Sequence, residues 1–389
     1  MPTSTVQSGA FVAGPRSVLV SGESFAGLAT AYWLNRLGYR VTVVEVAPGL
    51  RRGGTPVDIE GETIAILTRM GLMDAVRART LPPRRFAFKD AKNTTLGEMA
   101  HQPDDEAGPR YEIHRDDLLD VLSGAIEGDV ELLFNRSIMA IEERPEAVSA
   151  TFSDGSRHEF ALIFGCDGNR SNTRRLVFGG GEQFTHFMGG YFYLKVVPDT
   201  GLLLPNTSEV FAVPGLMALL NGYDDRTDIG FGFRSAGKIE YDYRNKDQQR
   251  RLIRDHFSGL GWKVPDMLAH MGEDNDFYFD RISQIRMPTW SHGRIALVGD
   301  AGYCVSPFAG LGGSMAIIGA GRLADALTRH PDDHSHAFHD YEEGLRPFVE
   351  QVQERAAIDS VQMLFPGDES EMAERDRKLS IGEIGVQSS

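Results

Sequence analysis

Apolar and polar positions fall into blocks along the chain. Ser17 to Ser21 (SVLVS) is a short apolar run ending in glycine, the pattern of a buried strand. Residues 25–37 (FAGLATAYWLNRL) read as a helix stopped by Gly38, and Arg40 to Val46 (RVTVVEV) as a second, β-branched strand. This is a βαβ unit, and its short connections favour a parallel sheet. Residues 58–80 and 111–127 carry helical patterns. Strand patterns follow at 130–135, 138–143 and 148–153, and Asp154-Gly155 makes a hairpin turn into 158–164. Residues 187–234 change character: segments such as YFYLKVV and DIGFGF are rich in Phe, Tyr, Val and Gly and alternate. They predict an antiparallel sheet and a second domain. A polar helix (246–258), a strand (277–286) and a short apolar strand (294–298, RIALV) come next. A glycine-rich loop then enters a helix running to about 328. In the charged helical stretch 336–364, Phe338, Tyr341, Leu345, Val349 and Val352 recur at three or four positions, as one buried face requires. Residues 1–15 read as a loose tail, and 369–378 as a short helix in an acidic tail.

Composition narrows the function. The chain has 389 residues and a formal charge of −15, which argues against a binder of nucleic-acid duplexes, since these usually present a basic face. It holds no apolar run long enough to span a bilayer and no secretory leader pattern, so a cytoplasmic protein is expected. Two cysteines, Cys166 and Cys304, exclude a disulfide framework and a four-cysteine metal site. Glycine is in excess at 43 residues, against about 7% in ordinary chains.

The glycines sit at strand ends. Gly22-Glu-Ser24-Phe25-Ala26-Gly27 lies between the first strand and the first helix, a G-x-G-x-x-G dinucleotide loop with serine for its middle glycine. The first glycine permits a tight turn and the last permits close helix packing. The helix N-terminus offers N–H groups and partial positive charge to a pyrophosphate. Glu45 ends the second strand, 18 positions after Gly27, where an acid binds a ribose hydroxyl pair. An acid there repels a 2′-phosphate, so this loop is not an NADP site.

Two more glycine motifs follow apolar strands: 164–174 (FGCDGNRSNTR), containing Asp167, and 299–314 (GDAGYCVSPFAGLGGS), containing Asp300. In order and spacing, the three motifs resemble those of FAD-dependent aromatic hydroxylases, the class A flavoprotein monooxygenases. The pieces GGTPVDI (53–59) and SPFAG (306–310) resemble the tetracycline-inactivating members most. The chain departs from the family pattern at Ala161, where an acid is usual, and at Cys166, usually alanine. Gly302 and Tyr303 replace Ala and His of GDAAH, and Gly310-Leu311-Gly312-Gly313-Ser314 lacks the Gln and Asn of GQGxN.

The resemblance implies an α/β fold: a Rossmann-like FAD-binding domain of the para-hydroxybenzoate-hydroxylase type, an inserted β-sheet substrate domain and a C-terminal bracing helix. Residues 16–80, 101–178 and 285–330 would form the first, 81–100 and 179–284 the second, and 331–389 the C-terminal segment. The cofactor would be held by the 22–27 loop, Glu45, Arg51, Arg52, Gly54, Arg115 in its R-x-x-L helix start, Asp167, Asp300, Pro307 and the turn from Gly310 to Ser314. The substrate pocket would be lined by Phe192, Phe211, Met217, Phe231, Pro307, Phe308 and Ala309. The resemblance also implies transient NADPH or NADH, molecular oxygen, a C4a-hydroperoxyflavin and a phenolic or enolic substrate such as a polyketide or tetracycline. The catalytic chemistry would be borne by the flavin, in a monomer or weak dimer.

Two other functions remain open on the residues alone: an FAD-dependent reductase of the geranylgeranyl-reductase type, and a non-catalytic FAD- or ligand-binding protein. The cluster His330, His334, His336 and His339 reads as a solvated loop and helix cap rather than a metal site. Cys166 and Cys304 read as small packing residues.

Overall fold

The computed structural model describes residues 16–100, 108–356 and 361–380. The expected tail at 1–15 and the segment 101–107 lie outside them.

Strand β1 (Ser17–Ser21) is buried at every position, leads into α1 (Phe25–Arg36) and is joined in parallel by β2 (Arg40–Val44). Next come β3 (Val57–Glu60), α2 (Gly61–Arg69), α3 (Met73–Arg77), β4 (Arg85–Lys89) and β5 (Thr95–Ala100), then β6 (Arg110–Ile113) and α4 (Arg115–Gly124). Both stretches with helical patterns, 58–80 and 111–127, thus begin as strands. β3 and β6 pair antiparallel, and Arg110 ties them through Asp58 at 2.5 Å and Glu60 at 3.6 Å. Four-residue strands that run straight into helices are too short to show a period of two.

The chain continues through β7 (Glu131–Leu133), β8 (Ile138–Glu143), β9 (Val148–Phe152), β10 (Arg157–Phe160), β11 (Leu162–Gly165) and α5 (Asn172–Phe178). Gly155 takes a φ of +83° at the hairpin turn. The run 158–164 breaks at Ala161: β10 folds back on β9, while β11 joins β1 in parallel. The aromatic block forms β12 (Thr185–Pro198), β13 (Thr207–Val213), β14 (Leu216–Gly222) and β15 (Arg226–Arg234). The remainder is α6 (Lys246–Phe257), α7 (Val264–His270), β16 (Tyr278–Ile285), β17 (Ser291–His292), β18 (Ile295–Leu297), α8 (Asp300–Tyr303), α9 (Gly312–Arg329), α10 (His334–Arg355), α11 (Val361–Leu364) and α12 (Glu369–Ser380).

One sheet has the order β17-β18-β11-β1-β2-β7, parallel except at β17–β18. Val18 and Val20 face a core shared with α1, α4, α9 and α10, while Leu19 faces the three-stranded sheet β10-β9-β8. The second sheet has the order β16-β12-β15-β14-β13-β4-β5. β4 pairs in parallel with β13 and antiparallel with β5, so the 85–100 hairpin extends the edge of this sheet.

Helix α10 buries the expected face, Phe338, Tyr341, Leu345, Val349 and Val352, in the core of the parallel sheet. It also grips the end of β16. The Gln353 amide donates to the Ile285 and Cys304 carbonyls at 2.9 and 3.1 Å, and the Gln284 amide donates to the Gln353 carbonyl at 2.7 Å. Asp333 caps its start by accepting from the His336 N–H at 3.0 Å. Among the described residues, no helix is long and apolar enough to cross a membrane.

Candidate functional site

The three glycine motifs meet at the C-terminal ends of β1, β11 and β18, the position where open parallel sheets bind ligands. Gly22 has φ +103°, and a Cβ there would lie 2.6 Å from the Cys166 carbonyl oxygen. At Gly27 a Cβ would lie 1.8 Å from the Gly22 carbonyl oxygen. Both glycines are therefore required by close backbone approach. Ser24 sends its hydroxyl to the Cys166 carbonyl at 3.3 Å, and no side chain caps α1. The helix start is left to offer its amides outward. Glu45 is fixed by two backbone donors, the Glu23 N–H at 3.0 Å and the Ala47 N–H at 2.8 Å.

Arg115 organises the 51–54 segment. Its guanidinium donates to the Arg51 and Gly53 carbonyls at 2.6 and 3.1 Å and lies 5.5 Å from the Phe25 ring centroid. Burial holds its pKa below the usual arginine value. Gly54, with φ +104°, leaves room for the Arg115 side chain, which a Cβ would approach to 2.9 Å. Arg52 instead pairs with Asp120 at 2.7 Å on the exposed side of α4.

Asp167 turns inward. Its carboxylate accepts from the Ser171 hydroxyl at 2.5 Å and from the Thr173 N–H and hydroxyl at 2.8 and 2.9 Å, fastening the start of α5. Arg174, which sequence reasoning left without a role, joins this loop to the next motif. It is buried and donates to the Ala301 carbonyl at 2.7 Å and the Asn169 carbonyl at 2.5 Å. Burial pushes the Asp300 carboxyl up to about 6, with Cys304 and the Arg174 charge opposing that rise. Cys166 and Cys304 are buried thiols whose pKa burial raises, as packing residues should be.

Tyr303, which stands where the resemblance expects histidine, points into the core. It is 1% exposed, and Tyr341 donates a hydrogen bond to its hydroxyl at 2.9 Å. A Cβ at Gly319 of α9 would lie 1.8 Å from that hydroxyl. The departure is thus a packing exchange. The following turn is held by Ser306, a non-glycine residue at φ +98° whose hydroxyl accepts from the Phe308 N–H at 3.2 Å. Gly310 has φ +70°, and a Cβ on Gly310 or Gly312 would meet nothing within 4 Å, so open space lies beside the turn that starts the 18-residue α9. Gly313 is packed against Val57 and Phe25, and the Ser314 hydroxyl anchors to the Asp58 carbonyl at 2.8 Å. A backbone cradle with open space and two flanking close-packed glycines fits a flat, anionic dinucleotide cofactor.

The pocket residues expected from the sequence separate onto two faces of the seven-stranded sheet. Phe192 and Met217 cluster with Phe308 on the face toward the glycine turn, the Phe192 and Phe308 rings 5.4 Å apart. Pro307 and Ala309 form the short 3₁₀ turn around Phe308. Phe211 and Phe231 do not join them. Phe211 stacks on Trp262 at 5.8 Å and Phe231 packs on Phe257 at 4.7 Å, under α6 and α7 on the opposite face. Strand alternation forces this correction: Tyr193 pairs with Phe231 across β12 and β15, so Phe192 must face the other way.

Sequence reasoning missed Phe365. It is 1% exposed and stacks on Phe308 at 6.1 Å, and Cβ atoms at Gly190 and Gly232 would lie 2.9 and 3.3 Å from its ring. Its only sequence signal is the apolar triplet 363–365 (MLF) before an acidic tail.

Residues 16–197 match the FAD binding domain family. A flavin-dependent monooxygenase of Legionella longbeachae is 34% identical over 372 residues, covering 94% of each chain. An uncharacterized protein of Mycobacterium tuberculosis is 37% identical over 352 residues, covering 87% of this chain and 92% of its own. Among solved structures, the tetracycline destructase Tet(51) superposes with a TM-score of 0.82 at 33% identity, covering 94% of this chain and 96% of that one. The FAD complex of Klebsiella pneumoniae HpxO, at 21% identity and a TM-score of 0.76, shares the fold. Likeness of this extent to named monooxygenases, across both sheets and all three glycine motifs, makes this chain an FAD-dependent enzyme of the flavoprotein monooxygenase family to which the tetracycline destructases belong.

Proposed function

We propose that this enzyme uses NADPH or NADH and oxygen to hydroxylate an electron-rich phenolic or enolic carbon of a polyketide-type molecule, with tetracyclines the first class to test. The observation that carries this reading is the part-buried ring pair Phe192 and Phe308, backed by the buried Met217 and Phe365, beside the glycine turn. The similarity to a tetracycline destructase over 94% of the chain supports the substrate class.

Bound FAD supplies the reductive activation of oxygen and the transfer of one oxygen atom. In this reading the first-turn amides of α1, including those of Phe25 and Ala26, hold the pyrophosphate, and Glu45 accepts from ribose hydroxyls. Arg115 keeps the 51–54 segment, Gly54 included, against the cofactor. Asp300 accepts a hydroxyl of the cofactor chain. The turn from Gly310 to Ser314 directs backbone N–H groups and the α9 dipole to the end of the ring that gains negative charge on reduction. Pro307, which has no N–H, and the rings of Phe308 and Phe365 keep water from the reacting centre. In this reading the cofactor domain comprises 16–80, 101–178 and 285–330, the substrate domain 81–100 and 179–284, and 331–389 forms a C-terminal helical segment and tail.

The test is turnover of the FAD-loaded protein with NADPH, oxygen and tetracycline or simpler phenols. The reading predicts substrate-stimulated oxygen consumption and a product heavier by one oxygen atom. NADPH oxidation that proceeds equally without oxygen would make the enzyme a reductase. Absence of any NADPH oxidation across the panel would leave only ligand binding.

A further inference from the structure

The dinucleotide loop contains a carboxyl group that the cofactor assignment does not use. Glu23 follows Gly22 directly, and its backbone N–H is one of the two donors that fix Glu45. The residue is 6% exposed, and among the described residues neither buried carboxyl oxygen has a hydrogen-bond partner. An ionised carboxylate in that condition would be severely penalised, whereas a neutral one loses far less. The charged groups nearby offer no relief. Glu45, at the end of β2, carries the same sign and opposes ionisation. Asp167, whose Cα lies against Gly22, is acidic too and is committed to Ser171 and Thr173. Arg136, whose N–H bonds the Glu45 carbonyl, turns its guanidinium to Asp154 at 2.6 Å.

We propose that Glu23 is a proton-dependent determinant of cofactor affinity: its carboxyl must be neutral for the loop to hold the FAD pyrophosphate, so FAD binds with uptake of a proton and loosens as Glu23 ionises. The proposal rests on the assignment of the 22–27 loop to the pyrophosphate. Its physical basis is charge. Ionised Glu23 would place a second negative charge beside Glu45, within a loop that must receive a doubly charged diphosphate, and in surroundings too dry to screen it. Burial, and then Glu45, already push this carboxyl up to about 7 in the free protein, so the transition falls in the neutral range. The diphosphate would raise it further, which is why binding and proton uptake are linked. Glutamine at this position would keep the shape and remove the titration.

The experiment measures FAD affinity of the apoprotein by flavin fluorescence from pH 5.5 to 8.5, for the wild type, Glu23→Gln and Gly27→Asp. Calorimetry in buffers of different ionisation enthalpy counts the protons taken up. For the wild type, Kd should be flat in acid and rise about tenfold per pH unit above the transition, with about half a proton taken up at pH 7 and close to one by pH 8. Glu23→Gln should bind as the wild type does at pH 6, keep that affinity at pH 8, and take up no proton through this site. A Glu23→Gln profile that follows the wild type, or a wild-type profile flat throughout, overturns the proposal. Gly27→Asp separates this failure from failure of the loop assignment: if that variant binds FAD normally, the pyrophosphate lies elsewhere. Should Glu23→Gln fold poorly, Glu23→Met carries the same comparison, because the wild-type proton count also includes Asp300.

Discussion

The two faces of the seven-stranded sheet are built from similar aromatic residues and are packed differently. The outer face is closed. Tyr193, Phe211 and Phe231 interlock with Phe257 and Met267 of α6 and α7, and Tyr193, Phe231 and Phe257 are fully buried. The inner face is interrupted. Gly190, Gly230 and Gly232 leave the sheet without side chains where Phe365 and Phe192 lie close, and a row of polar residues, Ser208, Asn221 and Asp228, crosses its end. One face is closed by rings under two helices, while the other packs Phe365 into its glycine positions and joins a buried polar row by hydrogen bonds. A change of one position along a strand moves a residue from one role to the other.

The largest expected effect breaks the outer face. Phe231→Ala should destabilise the protein by about 3–5 kcal/mol, because a fully buried ring leaves a cavity. Thermal unfolding measures this, and the folded fraction should retain its substrate KM. On the inner face, Phe192→Ala should cost less, about 1.5–3 kcal/mol at most, since the ring is only part-buried. Its main effect should fall on substrate KM and on peroxide release. If Phe192→Ala lowers the melting temperature as far as Phe231→Ala and leaves KM unchanged, the two faces are not functionally distinct.

A pH-dependent effect sharpens the polar end of the inner face. Asp228 is 1% exposed, accepts from the Tyr223 hydroxyl at 3.2 Å and the Asn221 amide at 3.4 Å, and is pushed up to about 7, chiefly by burial. Its pKa is raised on folding, so the stability contributed by its neutral form is present below the unfolded value near 3.9 and is lost as pH rises through about 7. Asp228→Asn stays neutral. It should therefore gain on the wild type between pH 4 and 7, by up to about 4 kcal/mol over that window, and then level off. Melting curves across pH check this, and a constant difference between the two proteins would refute it.

What was legible in the sequence follows from which forces act locally. The β1–loop–α1–β2 unit was readable because its strands are continuous apolar runs and its glycines are demanded by backbone contact. The buried face of α10 was readable because five apolar residues keep helical spacing. Placement of Phe192 and Phe231 on opposite faces was partly legible, since alternation fixes which residues share a face. Which face turns to the glycine motifs depends on how α6 and α7 cover the sheet, and that is tertiary. Phe365 was hidden because its partners, Gly190, Gly232 and Phe308, lie far away in the chain. Strands β3 and β6 were missed because each has one partner, the other, across fifty residues of sequence. Tyr303 looked like a change to the cofactor site, and only its contact with Tyr341 and Gly319 shows it to be core.

The most direct measurement is the fraction of oxidised NADPH that appears as hydroxylated product rather than peroxide, compared between Phe192→Leu and Phe211→Leu. If the inner face holds the substrate against the glycine turn, Phe192→Leu should release more peroxide per NADPH. Phe211→Leu should keep the wild-type ratio while melting at a lower temperature. A wild-type ratio in Phe192→Leu together with increased peroxide in Phe211→Leu would place the substrate on the wrong side of the sheet and contradict the account.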